Sequence, residues 1–324
     1  MNMLLTKPWR HSFSALSRAL HTSYRMSQPQ TPQTPPKSEM EPALLRRFGE
    51  RGRYELEDAQ SVFDGSFIAH VSYVDDGLPA CQPMIALIRE EPVAGEAPSA
   101  DDADGTDGAD TTESDGKEHR RNAFVYLHGH PTTRLMELVK QATKAEEAAQ
   151  EARAAGHDEP PVPPVKVCIT ATKIDGLALS TAPNGHTFNY RSAMIHGTCS
   201  QVRGKDVKRD IMHAVTNQIV ANRVHEVNPI SSMVVNLVYV VRVSIDRLSV
   251  KARMGVPGIQ PRNADVDGPD IEPPAWAGVV PLWEQLGEPI ASGLTPGAVV
   301  SDNLRAFISE RNAKHEAYAK KAAK

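Results

Sequence analysis

The stretch SFIAHVSYVDDGLPACQPMIALI, residues 66–88, decides how this chain folds. Phe67, Ala69, Val71 and Tyr73 alternate with Ser66, Ile68, His70 and Ser72, the period of two that gives a strand two different faces. Asp75-Asp76-Gly77 follows. An Asp-Gly step accepts positive φ, so the chain doubles back as a hairpin into a second strand, Ala80–Ile88. Pro83 has no ladder donor and marks an edge or a bulge of that strand.

The same grammar continues outward. Ala123–His128 (AFVYLH) and the β-branched run Val165–Thr172 (VKVCITAT) read as strands, and Cys168 among the latter reads as core. Thr187–Arg203 holds a long strand, NYRSAMIHGTCSQV, in which Gly197 marks a bulge or a barrel bend. Val234–Ser249 is the last long strand. A helix opens at Thr132 or Thr133, with Leu135, Leu138 and Val139 on its apolar side. A second runs from Gly204 to Val227, where Val207, Ile211, Val215 and Ile219 repeat every four and Asn228-Pro229 stops it. A third, Asn303–Lys321, ends in basic residues. Strands outnumber helices, and the helices fall between strand groups. The expected class is mainly β with flanking helices: a closed or split antiparallel barrel and not a doubly wound sheet.

Composition sets the limits. The chain has 324 residues, 40% of them apolar, with 36 basic against 40 acidic side chains for a net charge of −4. A dedicated nucleic-acid binder would show a basic domain or stripe, so none is expected. No apolar run approaches the ~20 residues that span a bilayer, so no membrane partner is expected. Three scattered cysteines, Cys81, Cys168 and Cys199, speak against a disulfide framework and a zinc finger. No GxGxxG follows a strand, no GxxxxGK[ST] occurs, and no GxSxG is present, which removes support for a Rossmann site, a P-loop and a hydrolase elbow.

Several segments read as lying outside the core. Lys7, Arg10, Arg18, Arg25 and Lys37 precede the first acid, Glu39, and Trp9, Phe13, Leu16 and Leu20 form one helical stripe. This is the composition of a mitochondrial transit peptide, with a cytoplasmic extension as the alternative. Residues 1–38 are therefore expected to be a presequence and linker. The acidic stretch 90–118 cannot bury enough surface to offset its chain entropy and reads as a solvated insertion. Residues 145–164, Ala/Glu-rich and ending in DEPPVPP, read as a helix end and an extended linker. That leaves one domain over 39–295 and a helical tail over 296–324.

Six segments in order carry a resemblance: VDDGLPACQPM, FVYLHGHPTTRLMEL, VKVCITAT, FNYRSAMIHG, SVKARMGVPG and WAGVVPLWEQLGEPI. Together, from about Leu45 to Ile290, they resemble the flavin-nucleotide-binding proteins of the pyridoxamine 5′-phosphate oxidase-like split barrels, in the branch that includes nitroimidazole-resistance proteins. The resemblance implies a six-stranded FMN-binding split β-barrel that forms a homodimer, with FMN in a cleft between the copies. FMN needs phosphate donors, a flat slot and donors near the ring. His128, Gly129, Thr132, Thr133 and Arg134 suit the phosphate: the glycine admits close approach, the threonines lie at a helix start, and the arginine can fork onto oxygens. Pro83 and Met84 fall where the family backbone passes the ring edge. Tyr190, Arg191 and Ser192 form a second block. Arg191 is suited to negative charge on reduced flavin, or to a structural ion pair. Lys251 and Arg253 add charge near the phosphate or ring, or form a solvated strand end. Trp276 is a core, interface or stacking residue.

The function expected from this is FMN-dependent hydride or electron transfer, from a nicotinamide donor such as NAD(P)H to a small acceptor. The alternatives are a non-enzymatic flavin or haem binder, with His128 or His130 as axial ligand, and an interaction module built on the acidic loop. His128 and His130 share a strand face, but no third ligand at fitting spacing makes them a metal site.

Overall fold

The computed structural model describes residues 43–45, 47–91, 122–258 and 275–324. The presequence reading of 1–38 and nearly all of the acidic insertion lie outside these residues.

The hairpin forms where the sequence puts it. Strand β2 (Ala69–Asp75) pairs in register with β3 (Leu78–Met84), and Asp76 and Gly77 take φ of 50° and 76° between them. Both turn residues are left-handed, the geometry that matches the twist of the flanking strands. Nothing lies within 4 Å of a Cβ added at Gly77, so only the backbone resists one. Gly77→Ala should therefore cost about 1 kcal/mol, read as a lower urea midpoint with unchanged slope.

Before the hairpin come β1 (Gly52–Arg53) and helix α1 (Leu56–Gly65). After it come β4 (Ala86–Glu90), β5 (Ala123–Gly129), α2 (Arg134–Ala154), β6 (Lys166–Leu179) and β7 (Thr187–Gln201). Helix α3 (Lys205–Ile219), α4 (Ser232–Leu237), β8 (Tyr239–Arg253), β9 (Gly278–Pro281) and α5 (Asp302–Ala322) complete the order. The strands pair antiparallel in the order β3-β2-β6-β7-β8-β5-β4, with β1 added to β8 and β9 to β6. Only Ile85 separates β3 from β4, so the two ends of that path are one continuous strand and the sheet closes into a barrel.

Closure decides which face is core. Val71, Ile169, Ile195 and Leu248 stand opposite one another across four strands and are all buried. Val62 and Phe63 of α1, and Leu135, Met136 and Val139 of α2, join the same apolar cluster, so two helices help to fill the barrel. A smaller cluster outside it sets Ile211 and Val215 of α3 against Tyr126 and Val240.

The structure corrects several boundaries. The first strand of the hairpin, β2, begins at Ala69, not Ser66, because Ser66 is the C-cap of α1 and its N–H bonds to the Phe63 carbonyl; Phe67 and Ile68 are left exposed. Helix α3 stops at Ile219, where Val220 turns extended and Asn222 takes a left-handed φ of 58°. Of its four-spaced residues, only Ile211 and Val215 are buried. The final long strand starts at Tyr239, since the preceding residues coil into α4 behind a Ser231 cap. Cys168 is not core: it lies half-buried on the outer sheet face, where Ser72 separates it from Cys81. Two strand spacings, roughly 10 Å, are too far for a disulfide.

Candidate functional site

The ladder between β4 and β5 ends at the pair Ala86 and Leu127. From that pair the chain runs on to Ile85 and Met84 on one side, and to His128 and Gly129 on the other. Met84 is buried against the core, while Pro83 is exposed opposite His70. The His128 side chain is half-buried, with its Nδ1 shielded from solvent. Its Nδ1 has no hydrogen-bond partner, and burial pushes its pKa below the ordinary histidine value. The chain then turns into α2. His130 Nδ1 lies 2.7 Å from the Thr132 hydroxyl and accepts from the Thr132 N–H at 3.3 Å. Thr133 is the N-cap of α2, yet its hydroxyl makes no capping bond. A Cβ added at Gly129 would touch Met136 Cε at 3.4 Å, Thr133 Oγ1 at 3.6 Å and Met136 Cγ at 3.8 Å, ordinary contacts the chain could accept.

Arg134 is engaged. Its Nε and Nη2 fork onto the Asp75 carboxylate at 2.6 Å each, fastening α2 to the hairpin turn. That hydrogen bond holds the Asp75 carboxyl below the usual carboxylate range. A phosphate at this corner would compete with Asp75 for the guanidinium.

The second block sits elsewhere. Tyr190 stands opposite Arg253, and Ser192 opposite Lys251, at the far end of β7 and β8. The Ser192 hydroxyl donates to the Lys251 carbonyl at 3.3 Å, and Lys251 Nζ donates to the Arg47 carbonyl at 3.3 Å. Arg253 donates to the Asn189 side-chain oxygen and to the Gly255 and Val256 carbonyls, pinning the turn after β8. Arg191 lies on the opposite face, forked onto Asp175 at 2.9 and 2.7 Å with the Tyr318 ring 3.6 Å from its guanidinium. The structural ion pair, one of the two roles open to Arg191 from the sequence, is therefore formed. Trp276 is exposed, its ring packed against the backbone of Gly278, and belongs to neither block.

Strand β8 measures the separation. His128 and Gly129 pair with Val240 and Tyr239 at its start, while Lys251 and Arg253 are at its end. Eleven or more residues at about 3.3 Å each place the blocks roughly 35 Å apart along the strand. The structure brings Met84, His128, Gly129, Thr132, Thr133 and Arg134 to one corner. It does not bring Tyr190, Arg191, Ser192, Lys251 or Arg253 of the same chain to that corner.

The sequence reading missed a cavity of about 570 Å³ between α1 and α5. Arg191, Arg311, Lys314, His315 and Tyr318 line it, and Glu57 and Asp64 of α1 stand on the other wall. Helix α5 is docked here: Arg311 donates to the Gly65 carbonyl at 3.1 Å and lies over the Phe67 ring at 4.0 Å, and Asn312 bonds both backbone groups of Leu286. Asn189 holds the far end of α5 through the Ala322 carbonyl at 2.8 Å. His315 is 9% exposed. Burial first, then the positive charges of Arg311, Lys173 and Arg191, push its pKa down to about 4, against a weaker pull from Glu284. A signal was available: Phe307, Arg311, His315 and Tyr318 recur at four, four and three, one face of a helix.

Among the described residues no group of three or more His, Cys, Asp or Glu converges as a metal site, and no helix is long and apolar enough to cross a membrane.

Comparison with known proteins agrees with this architecture. Residues 159–252, from the segment before β6 to the end of β8, match the family described as pyridoxamine 5′-phosphate oxidase. The fold is that of the flavocytochrome Anf3 from Azotobacter vinelandii, at 20% identity and a TM-score of 0.56 over 81% of this chain and 94% of that one. It is equally that of the FAD and heme binding protein from Mycobacterium smegmatis, at 21% identity and a TM-score of 0.55 over 80% of this chain and 97% of that one. No curated protein matches the chain.

Proposed function

From a pyridoxamine 5′-phosphate oxidase-like split barrel as premise, we propose that this chain binds a flavin nucleotide, FMN in its simplest form, along the β5–α2 corner. One observation carries the reading. His128 has a buried, unpartnered ring nitrogen beside a glycine that its own neighbours do not require, at a corner where the Thr133 hydroxyl does not cap its own helix. Native chains rarely leave such a group unpaired, so an unpaired one points to a missing partner. The donor set suits the group. Thr132, Thr133 and the first amides of α2 would hold the phosphate, with Arg134 shared between it and Asp75. Met84 and His128 would border the ring.

A bound flavin would supply hydride or single-electron transfer between a nicotinamide donor and a small acceptor. The chain would fix the phosphate, exclude water from the ring edge and offer His128 as a neutral partner. Because Tyr190, Ser192 and Lys251 lie at the other end of β8, they could join this site only from a second copy. The reading therefore includes a homodimer in which each cleft is completed across the interface. The two fold neighbours are described as a flavocytochrome and as an FAD and heme binding protein, so haem beside flavin is a second reading.

Gly129→Ala is the test. The purified protein should carry, or take up, a flavin that mass spectrometry identifies as FMN or FAD. The substitution should leave the circular dichroism and urea midpoint near those of the parent while weakening flavin binding at least about tenfold, some 1.4 kcal/mol, by fluorescence titration. A parent that takes up no flavin, or a Gly129→Ala protein that binds as tightly as the parent, sinks the proposal.

A further inference from the structure

We propose that the α1–α5 cavity binds a short peptide by its free amino and carboxyl termini. The wall on α1 is one helical face: Glu57, Gln60 or Ser61, and Asp64 are three or four residues apart, and all line the cavity. Arg311 and Lys314 line it from α5. The two helices run antiparallel here. Arg311 donates to the Gly65 carbonyl at the end of α1, and the Lys314 charge acts on Asp64, one residue earlier. Tyr318, two turns after Arg311, feels the charge of Arg53, which pairs at 2.9 Å with Asp58 in the first turn of α1. Glu57, in that same first turn, therefore lies at the Tyr318 end of the cavity, and Arg311 at the other.

The lining decides the class of ligand. Glu57, Asp64 and Glu310 stand among Arg311, Lys314 and an Arg191 already forked onto Asp175, so neither a polyanion nor a polycation meets a uniform wall. A small zwitterion does match, each charge finding a partner. Arg311 is the prepared partner for a carboxylate. Its guanidinium is fixed by the Gly65 carbonyl and over the Phe67 ring, and one carbonyl takes only one of its several N–H donors. Glu284, the acid whose charge acts on Arg311, is itself paired with Lys173. Glu57, exposed at the other end, suits an ammonium. Between them Gln60 and Ser61 offer neutral donors and acceptors for peptide amides, and His315, with its pKa down to about 4, adds no charge at pH 7. Length agrees with this: from Glu57 to Asp64 the helix rises roughly 10 Å, the span of about three extended residues. The volume of about 570 Å³ falls within the roughly 300–1,000 Å³ common for small-molecule sites. None of these residues belongs to the β5–α2 corner, so the proposal goes beyond the flavin reading and shares only the fold with it.

Trialanine with free termini is the probe, titrated calorimetrically into the full-length protein beside its N-acetylated and its C-amidated forms, each of which lacks one terminal charge. The free peptide should bind at one per chain, and each capped form at least about tenfold more weakly. Glu57→Gln should weaken the free peptide by about the same factor and leave the acetylated form unchanged, because the variant and the cap delete the same pair. Arg311→Gln should do likewise for the amidated form. If Arg311→Gln loosens α5 and lowers the urea midpoint, Glu57→Gln, a change at an exposed position, still decides. The proposal is overturned if the parent takes up no trialanine, if the capped forms bind as tightly as the free one, or if Glu57→Gln keeps the preference for a free amino group. Flavin content, read on the same samples, keeps the two readings apart. A protein that holds flavin and refuses the peptide ends this proposal only; one that binds the peptide and refuses flavin ends the other.

Discussion

Arg191→Ala should destabilise the cofactor-free protein by about 3–5 kcal/mol, the cost expected when one partner of a buried ion pair is removed. The Arg191 side chain is 14% exposed and that of Asp175 6%, and the two share a bidentate contact. Truncating the arginine leaves the carboxylate out of water without its counter-charge and removes the guanidinium from under the Tyr318 ring. Lys173, the nearest cation on β6, does not replace it, because its ammonium pairs with Glu284. Asp175→Leu combined with Arg191→Met removes both charges and keeps the volume, so the double variant should recover most of the loss. Urea unfolding of the singles and the double gives the coupling energy directly. A single-variant loss below about 1 kcal/mol would mean that the pair is solvated in solution. If that small loss came with a collapse of flavin binding, Arg191 would return to the redox role its sequence context suggested.

Legibility in the sequence follows the range of the interactions. The β2–β3 hairpin was readable because alternation and an Asp-Gly turn are local; so was the bulge at Gly197, where the β7–β8 register does shift. Helix α1 was missed although Leu56, Ala59, Val62 and Phe63 share one side of it. Ten residues are few for a periodic signal, and packing inside the barrel stabilises it more than intrinsic propensity does. Strand β9 has only four residues and exists because β6 offers it an edge. For the candidate site, residue types were readable and partners were not. Arg134 finds its carboxylate 59 positions back, at the hairpin turn, and Arg191 finds its own 16 positions back across the β6–β7 turn. Neither distance leaves a mark in local pattern. The α5 face was periodic enough to notice, but its meaning depends on α1 lying opposite, some 250 residues earlier.

Gly197→Ala should cost about 3 kcal/mol, the upper end of what overpacking does, and Gly197→Val more. Where β7 crosses from His196 to Gly197, its partners in β8 step from Arg247 to Ile245, leaving Asp246 as the extra residue of a bulge. Asp246 is held there by the hydroxyls of Thr198 at 2.8 Å and Ser244 at 3.0 Å. The bulge draws the β8 backbone against β7. A Cβ at position 197 would sit 2.1 Å from the Ser244 carbonyl oxygen and 2.5 Å from Val243 Cγ1. A flexible side chain could rotate away, but a ladder carbonyl cannot move without breaking the pairing on either side. Gly49→Ala is the control, since its added Cβ meets nothing within 4 Å and it should shift stability by no more than about 0.5 kcal/mol. The urea midpoint of each variant decides the matter: a Gly197→Ala midpoint equal to that of the parent would mean that β7 does not approach β8 this closely. The consequence reaches the proposed flavin site, because β7 and β8 together fix the spacing between the His128 corner and the Arg191 end. Strain released by sliding β7 along β8 would move every residue of one face out of register with the other. Flavin binding should then fall in Gly197→Ala, even though Gly197 lies outside the β5–α2 corner.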